Sequence, residues 1–478
     1  MTPLIAPIGL DYIATYLRKA GIQTEILDLP LSQNPDKTLK NYFENNNPDL
    51  IGLSLRNADD CYWPKAQWFV PKLADTVKTI RKLIDAPIVI GGVGFSIFAE
   101  RIVKYTGADF GIRGDGEAAM LSLVLELNNK KKFKNVPGLI FSENAKIRTN
   151  PPAWQTPDFD RAQPNVLSLP TNRDAFDNLT YFQKGGQLGL ETKRGCNQHC
   201  IYCADPLAKG KKVRTREPAE VAEEAEQLLA QGIDVLHLCD SEFNIPRRHA
   251  VAVCDEFIKR SLGEKIRWYA YLTTLPFDDE LAEKMKKAGC IGIDFTGDSA
   301  SEIMLRTYRQ NHRKQDLASA VKLSRKYNIK VMIDLLLGGP GETPDTLAET
   351  INFIKNINPD CAGAALGIRI YAGTEMAHIV NSQGPTQQNP NILRKYDGPV
   401  DFFKPTFYIS ENIGQNPAQI IRDMIKGDKR FFEPDLEQPS VDDISRDHNY
   451  NDNEMLTNAI SKGARGAYWH ILRNLRDS

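Results

Sequence analysis

Gly189-Leu-Glu-Thr-Lys-Arg-Gly-Cys-Asn-Gln-His-Cys-Ile-Tyr-Cys203 decides how the rest of this chain is read. It carries Cys196, Cys200 and Cys203 in a C-x3-C-x2-C array. A short apolar run ending in polar residues precedes the array, the pattern of a strand running into a loop. Three thiolates on one tight loop can hold three irons of a [4Fe–4S] cluster, whose usual ligand set is four cysteines. The fourth iron is then open to an outside ligand. Two other readings stand beside this one. His199 inside the loop offers a Cys3His zinc site, although such sites usually pair two separated knuckles. The thiols could also be unrelated core residues, but cysteine is sparse elsewhere in the 478 residues.

Around the array, from 186 to 385, strand and helix signals alternate about six times. Strands are expected at 188–192, 235–238, 267–272, 291–295, 330–337 and 364–370, with helices at 218–229 and 279–288 among those between them. This order predicts a partial (β/α)6 barrel whose chemistry sits at the carboxyl ends of the strands. Polar clusters stand at those ends: Asp240-Ser-Glu242, Thr273-Thr274, Thr296-Gly-Asp298-Ser299-Ala-Ser301 and Gly338-Gly-Pro-Gly-Glu-Thr343. From residue type alone, Asp240 and Ser241 would cap a following helix, and the Gly-Pro-Gly-Glu-Thr run would make a tight turn into another.

The first 150 residues alternate helix and strand as a doubly wound α/β domain does. Pro7 and Gly21 bracket a helix whose apolar face is Leu10, Ile13, Ala14 and Leu17. Further helices are expected at 38–45, 70–84, 98–105 and 116–127. Strands are expected at 24–29, 49–55, 87–90 and 110–113, with an edge strand at 138–141. Ligands of such sheets bind beyond the carboxyl ends of the strands. The candidate positions there are Leu55-Arg-Asn57, Gly91-Gly92-Val-Gly94 and Gly114-Asp-Gly-Glu117. Each glycine turn alone can be no more than a tight strand-to-helix connection.

With Tyr202 just before the last cysteine, the array resembles the signature of radical S-adenosylmethionine (SAM) enzymes. The resemblance implies that the open iron chelates SAM through its amino and carboxylate groups, with the aromatic near the adenine. One-electron reduction then yields a 5′-deoxyadenosyl radical. Asp240, Ser241 and Glu242 occupy the segment that meets the SAM amino group in that family. The stretch from Phe295 resembles the family's F-G-I-E-S-G-S run, with Asp298 for the Glu and Ala300 for the second Gly. It implies SAM contacts for Asp298 and Ser299. Arg309 falls in the L-x3-R continuation and is implied to pair with the SAM carboxylate. Gly-Pro-Gly-Glu-Thr and Arg369-Ile-Tyr-Ala-Gly-Thr374 resemble two further family segments, the second with Ala372 for the usual Pro.

The ordered N-terminal pattern resembles the cobalamin-binding domain that precedes many radical SAM cores. Asn57, Gly91, Gly92, Gly94, Gly114 and Glu117 are the implied cobalamin contacts. The pattern departs from the family in two ways. The sequence begins inside what resembles the first loop or helix, so an opening strand is expected upstream. No His precedes His199, so this domain has no D-x-H-x-x-G histidine for cobalt. Asn57, Asp59, Asp60, Cys61 and Tyr62 are candidates for the lower face of cobalamin, or else form a solvated loop.

The expected layout is 1–150, a cobalamin-binding-like domain; 151–185, a proline-broken linker; 186–385, the radical SAM core; and 386–478, a mostly helical extension. The extension is rich in aromatics at 401–410, more suited to core packing than to a pocket, and a helix is expected at 453–476. It has no small basic β-barrel pattern, against an RNA-modifying methylthiotransferase. Charge is balanced, 60 Lys+Arg against 61 Asp+Glu, so no nucleic-acid footprint is present. No apolar run approaches 18 residues and no signal peptide is seen. Eight cysteines without a framework pattern point to a reducing cytoplasm. The resemblance implies a cobalamin-dependent C-methyltransferase acting on an unactivated carbon of a small molecule, served by an external reductant of the flavodoxin or ferredoxin type. Its rivals are a non-methylating rearrangement, cyclisation or oxidation, with or without cobalamin, and a non-catalytic Fe–S protein.

Overall fold

Short apolar strands that end in glycine or serine build the first sheet. In this computed structural model, which describes residues 2–155, 166–438 and 449–477, β1 (Ile51–Ser54), β2 (Ile88–Gly91) and β3 (Phe110–Ile112) pair in parallel. β4 (Leu139–Glu143) and β5 (Lys146–Thr149) continue the sheet antiparallel. β2 and β3 are buried and β1 is the edge, exposing Gly52 and Ser54. The expected edge strand at 138–141 is therefore paired on both sides, and β5 forms the second edge. Residues 24–29, expected as a strand, form none and belong to no sheet.

Beyond the sheet, Pro157 and Pro164 of the expected linker lie outside the described residues. Asn178–Gly185 is a helix, capped by Asp177 and ended by Gly186 in the left-handed region. β6 (Leu188–Leu190) then enters a parallel barrel. The cysteine loop leaves from a two-residue ribbon, β7 (Lys193–Arg194) against β8 (Arg214–Thr215). The barrel continues through β9 (Val235–Leu238), β10 (Arg267–Leu272), β11 (Cys290–Asp298), β12 (Lys330–Leu337) and β13 (Cys361–Leu366). Their order, β6-β9-β10-β11-β12-β13, is that of a partial (β/α)6 barrel. Two of these strands differ from expectation by three residues or more at an end. β11 runs on through Thr296 to Asp298, with a register shift against β12 between those residues. β13 stops at Leu366, because Gly367 turns the chain at φ +93°. The residues after it, β14 (Ile368–Arg369), leave for a separate sheet with β15 (Ile392–Arg394) and β16 (Thr406–Tyr408).

The C-terminal extension closes the barrel rather than standing apart. β17 (Phe431–Phe432) adds to the edge of β13. The single helix expected at 453–476 is two, Glu454–Ser461 and Tyr468–Asp477, broken at Gly463 and Gly466. A Cβ on Gly466 would lie 2.6 Å from the Tyr269 hydroxyl, so the break lets the chain pass this strand. The last helix lies near the amino ends of the strands. There Trp469 faces Gly292, and His470 Nδ1 lies 2.8 Å from Tyr269 Oη.

Two buried junctions hold the N-terminal domain on the barrel. Arg173 donates to Asp11 at 2.5 Å and to Glu224 at 2.8 Å, and Arg216 and Tyr12 converge on the same Glu224. Burial, then Glu224, raises the Tyr12 pKa well above its ordinary value. On the other side Phe403 packs edge-on to Trp68, Phe98 and Tyr105. The aromatic run of the extension is core, as its composition suggested.

Candidate active site

The loop of Cys196, Cys200 and Cys203 is pinned at several points. Cys196 N donates to Gly210 O at 3.1 Å, and Gly195 takes φ +90° where a Cβ would lie 2.1 Å from Lys212 O. Ile201 N donates to Tyr308 O, and Met376 N to Ile201 O. All three thiols are free. Burial raises all three pKa values, that of Cys200 to about 12. His199 is exposed. Among the described residues no three or more His, Cys, Asp or Glu side chains gather to hold one metal ion. A zinc site needs convergence, with each sulfur about 2.3 Å from one ion. A cuboid cluster takes each thiolate on a different iron. Three free thiols on one pinned loop are a donor set that fits the cluster.

Beside the loop, Tyr202 Oη donates to Asp298 Oδ2 at 2.5 Å, and Gln310 Nε2 donates to the same oxygen. Gln310 also lies 3.4 Å from Cys200 Sγ and 3.3 Å from Tyr202 Oη. The register shift in β11 and the positive φ of Asp298 aim its carboxyl here. Burial pushes Asp298 up to about 7, and the Tyr202 and Gln310 hydrogen bonds oppose it. Glu242 accepts from Thr296 Oγ1 at 3.0 Å, while its Oε2 is buried with no partner. Burial pushes Glu242 up to about 8. An orphaned carboxyl oxygen between Cys196 and Asp298 suits the cationic amino group of SAM.

Four other expected SAM contacts are engaged elsewhere. Asp240 accepts from Thr192 N, Thr192 Oγ1 and Lys193 N, so it fixes the exit of β6 toward the loop. It caps no helix. Ser241 donates to Asp205, which Lys209 also holds. Ser299 is fully buried against Thr350 Oγ1 at 2.9 Å. Arg309 is half exposed and paired with Glu375 at 2.7 Å. Gln310 is the neighbour that reaches the site; a polar residue next to the motif arginine was its only sequence signal.

Several of the N-terminal candidates also have protein partners. Gly92 and Gly94 are required by protein backbone: a Cβ on either would lie 2.5 Å from Leu55 O or Ala58 N. At Gly114 a Cβ would meet Trp154 at 2.1 Å, and that indole lies under the Arg214 guanidinium. Glu117 is clamped by Arg194. Gly91 and Asn57 remain at the carboxyl ends of β2 and β1. The stretch 57–62 is not a solvated loop. Asp59 pairs with Arg369 at 2.9 Å, and Asp60 accepts from Gln67 N and Asn449 Nδ2. Cys61, at φ 60°, places Sγ 2.8 Å from Tyr371 Oη.

Arg56 of the N-terminal domain comes near Tyr468, Cys239 and Tyr271. Arg56 and Cys61 are exposed by surface area, yet burial lowers the Arg56 pKa and raises that of Cys61. On the barrel, His237, Cys239, Tyr271, Thr296 and Asp334 are partly accessible. These sit at alternate positions of otherwise apolar strands, a period-two signal that the sequence carried. A large flat cofactor at the carboxyl end of β1 would meet Arg56 and Asn57. No helix of the described residues is long and apolar enough to cross a membrane.

Comparison with known proteins agrees with this layout. Residues 190–354 match the Radical SAM superfamily and residues 3–124 the B12 binding domain. The tryptophan 2-C-methyltransferase of Streptomyces laurentii is 28% identical, covering 98% of this chain and 93% of its own. The radical SAM methyltransferase TsrM from Kitasatospora setae, solved with cobalamin and a [4Fe–4S] cluster, superposes with a TM-score of 0.90 at 27% identity. It covers 100% of this chain and 96% of its own. The same enzyme with tryptophan and the SAM analogue aza-SAM gives 0.89 at 28%, covering 100% and 97%.

Proposed function

We propose that this chain, a radical SAM protein with an N-terminal B12-binding domain, transfers a methyl group from SAM to a carbon of a small aromatic substrate. The observation that carries this reading is similarity to a tryptophan C-methyltransferase that runs through both domains and the C-terminal extension. In this reading Cys196, Cys200 and Cys203 hold the cluster. Tyr202, Glu242 and Asp298 border SAM, and Arg56 and Asn57 border cobalamin. The bound cofactors supply the methyl-transfer and one-electron chemistry. The chain binds, orients and keeps water out. Tyr202 and Gln310 fix the Asp298 carboxyl, and Glu242 offers an unpaired oxygen to a cation. The last helix and the N-terminal domain close opposite ends of the barrel. A small-molecule substrate, an external donor of the flavodoxin or ferredoxin type and a reducing cytoplasm belong to the same reading.

The test is anaerobic reconstitution with iron, sulfide and hydroxocobalamin, followed by gel filtration. About four irons and about one cobalt per chain are expected. Incubation of that protein with methyl-deuterated SAM and tryptophan should give a labelled methyl-indole and S-adenosylhomocysteine. Iron retained without cobalt would overturn the cobalamin assignment. Both metals retained without labelled product from indole substrates would overturn the methyl acceptor.

A further inference from the structure

The helix Glu302–Tyr308 stops against the cysteine loop. Arg309 takes the left-handed region at φ 61°, its N–H donates to Arg306 O at 3.1 Å, and Gln310 N donates to Leu305 O at 2.9 Å. These two bonds make a Schellman ending, which fixes the direction of the chain at Gln310. Tyr308 O accepts from Ile201 N at 3.3 Å, and its hydroxyl donates to Leu336 O at 2.8 Å. The Tyr308 ring meets that of Tyr202 edge-on at 6.0 Å. The backbone that carries Gln310 is thus tied to the loop that carries Cys200 and to β12, independently of its own side chain.

From that anchor the side-chain nitrogen of Gln310 reaches three groups. It donates to Asp298 Oδ2, and it lies 3.4 Å from Cys200 Sγ and 3.3 Å from Tyr202 Oη. Tyr202 gives its own hydroxyl hydrogen to Asp298 Oδ2 at 2.5 Å, so it meets Gln310 as an acceptor. All three groups accept, which turns the NH2 end of the amide toward them rather than its oxygen. That NH2 carries two hydrogens. One serves the Asp298 carboxyl. The other is left for Cys200 Sγ and Tyr202 Oη. A cysteine that ligates metal is a thiolate, and a charged acceptor takes a hydrogen bond in preference to a neutral hydroxyl. With the cluster held by the loop, the second hydrogen therefore belongs to Cys200 Sγ.

We infer that Gln310 is a positioning residue that sets the reduction potential of the cluster, by donating its amide N–H to the Cys200 thiolate. Reduction adds negative charge to a cluster and its sulfurs, so a donor aimed at a sulfur stabilises the reduced form more and raises the potential. The same nitrogen holds Asp298, a carboxyl that borders SAM in the proposed reading, so one side chain spans a cluster ligand and the SAM border. This deepens the proposed function and rests on it for the cluster alone, without reference to cobalamin or to the methyl acceptor.

The test is a dithionite titration with redox mediators on the anaerobically reconstituted protein without SAM, read by electron paramagnetic resonance of the reduced cluster. Wild type is compared with Gln310→Met, which keeps the length of the side chain but has no N–H. Tyr202→Phe, which takes a donor from Asp298 and none from Cys200, is titrated beside it. At a fixed solution potential, Gln310→Met should lower the ratio of reduced to oxidised cluster about tenfold, the scale of one hydrogen bond to a charged group. For one electron that is a fall of about 59 mV. Gln310→Glu should lower the ratio at least as far, and Tyr202→Phe much less. An unchanged potential in Gln310→Met at wild-type iron content would overturn the inference. Equal shifts in Gln310→Met and Tyr202→Phe would also overturn it, because Gln310 would then act through Asp298 alone. Loss of iron from both Gln310 variants would make the residue structural and overturn the redox role. Iron analysis of wild type is scored separately: about four irons per chain with a potential insensitive to Gln310 sinks this inference and leaves the proposed function, whereas a wild type that holds no cluster sinks both.

Discussion

Arg194 forks onto Glu117, Nη1 to Oε2 at 3.0 Å and Nη2 to Oε1 at 2.9 Å, so the start of an N-terminal-domain helix is locked to the residue two before Cys196. Asp115 and Glu191 complete the cage around the same guanidinium. The fork couples the position of the first domain to the entry of the cysteine loop. Both side chains are about nine-tenths buried, so the geometry is protected from water and salt.

Glu117→Ala should therefore destabilise the chain by about 3 kcal/mol, the low end for breaking a buried pair, because two other carboxylates still neutralise Arg194. Denaturant midpoints at constant slope measure it. An unchanged midpoint would show that the fork contributes nothing net.

Single alanine variants at Cys196, Cys200 or Cys203 should cut bound iron from about four per chain to below about one. His199→Ala should leave iron and visible absorbance unchanged. Iron analysis after anaerobic reconstitution decides it. A loss of metal in His199→Ala would favour the Cys3His alternative.

Gly94→Ala and Gly341→Ala separate two reasons for a glycine. At Gly94 a Cβ would lie 2.5 Å from backbone that cannot move aside, and a cost of about 3 kcal/mol is expected. At Gly341, φ is +82° with open space around it, so only conformational strain of about 1–2 kcal/mol is expected. Thermal midpoints in that order check it; equal losses would contradict the packing account.

Glu342 accepts from Gly338 N and Gly339 N through Oε2, while its Oε1 is buried without a partner. Burial pushes its pKa from the ordinary 4.5 up to about 7. Between those values the folded chain keeps a proton that the unfolded chain has lost, so this group's contribution to stability falls as pH rises. Glu342→Gln should gain on wild type across that window, by on the order of 2 kcal/mol, and level off above it. Taking the difference between the two proteins cancels the buried histidines, whose effect has the opposite sign. A difference that stays flat from pH 5 to about 7.5 would be inconsistent with a buried proton.

The sequence by itself determined the architecture and the cluster loop, because both are written in local pattern. Alternating apolar runs and capped helices placed five of the six barrel strands within two residues of one end or the other. The triad Cys196, Cys200 and Cys203 is contiguous, so no folding is needed to see it. Tyr202 and Glu242 were singled out in the same way, beside a motif or at a strand end, and the fold sets them against Asp298 and Thr296. Only the tertiary structure decided which motif residues face the site. Arg309 and Ser299 match the family pattern but point to Glu375 and Thr350, since a register shift and a left-handed turn rotate them away. Glu117 and Gly92 read as cofactor contacts in the sequence, which gives no sign of Arg194 and Leu55, distant residues that the fold sets beside them. A side chain's partner is set by long-range register, and a single sequence carries that only through the fold it specifies.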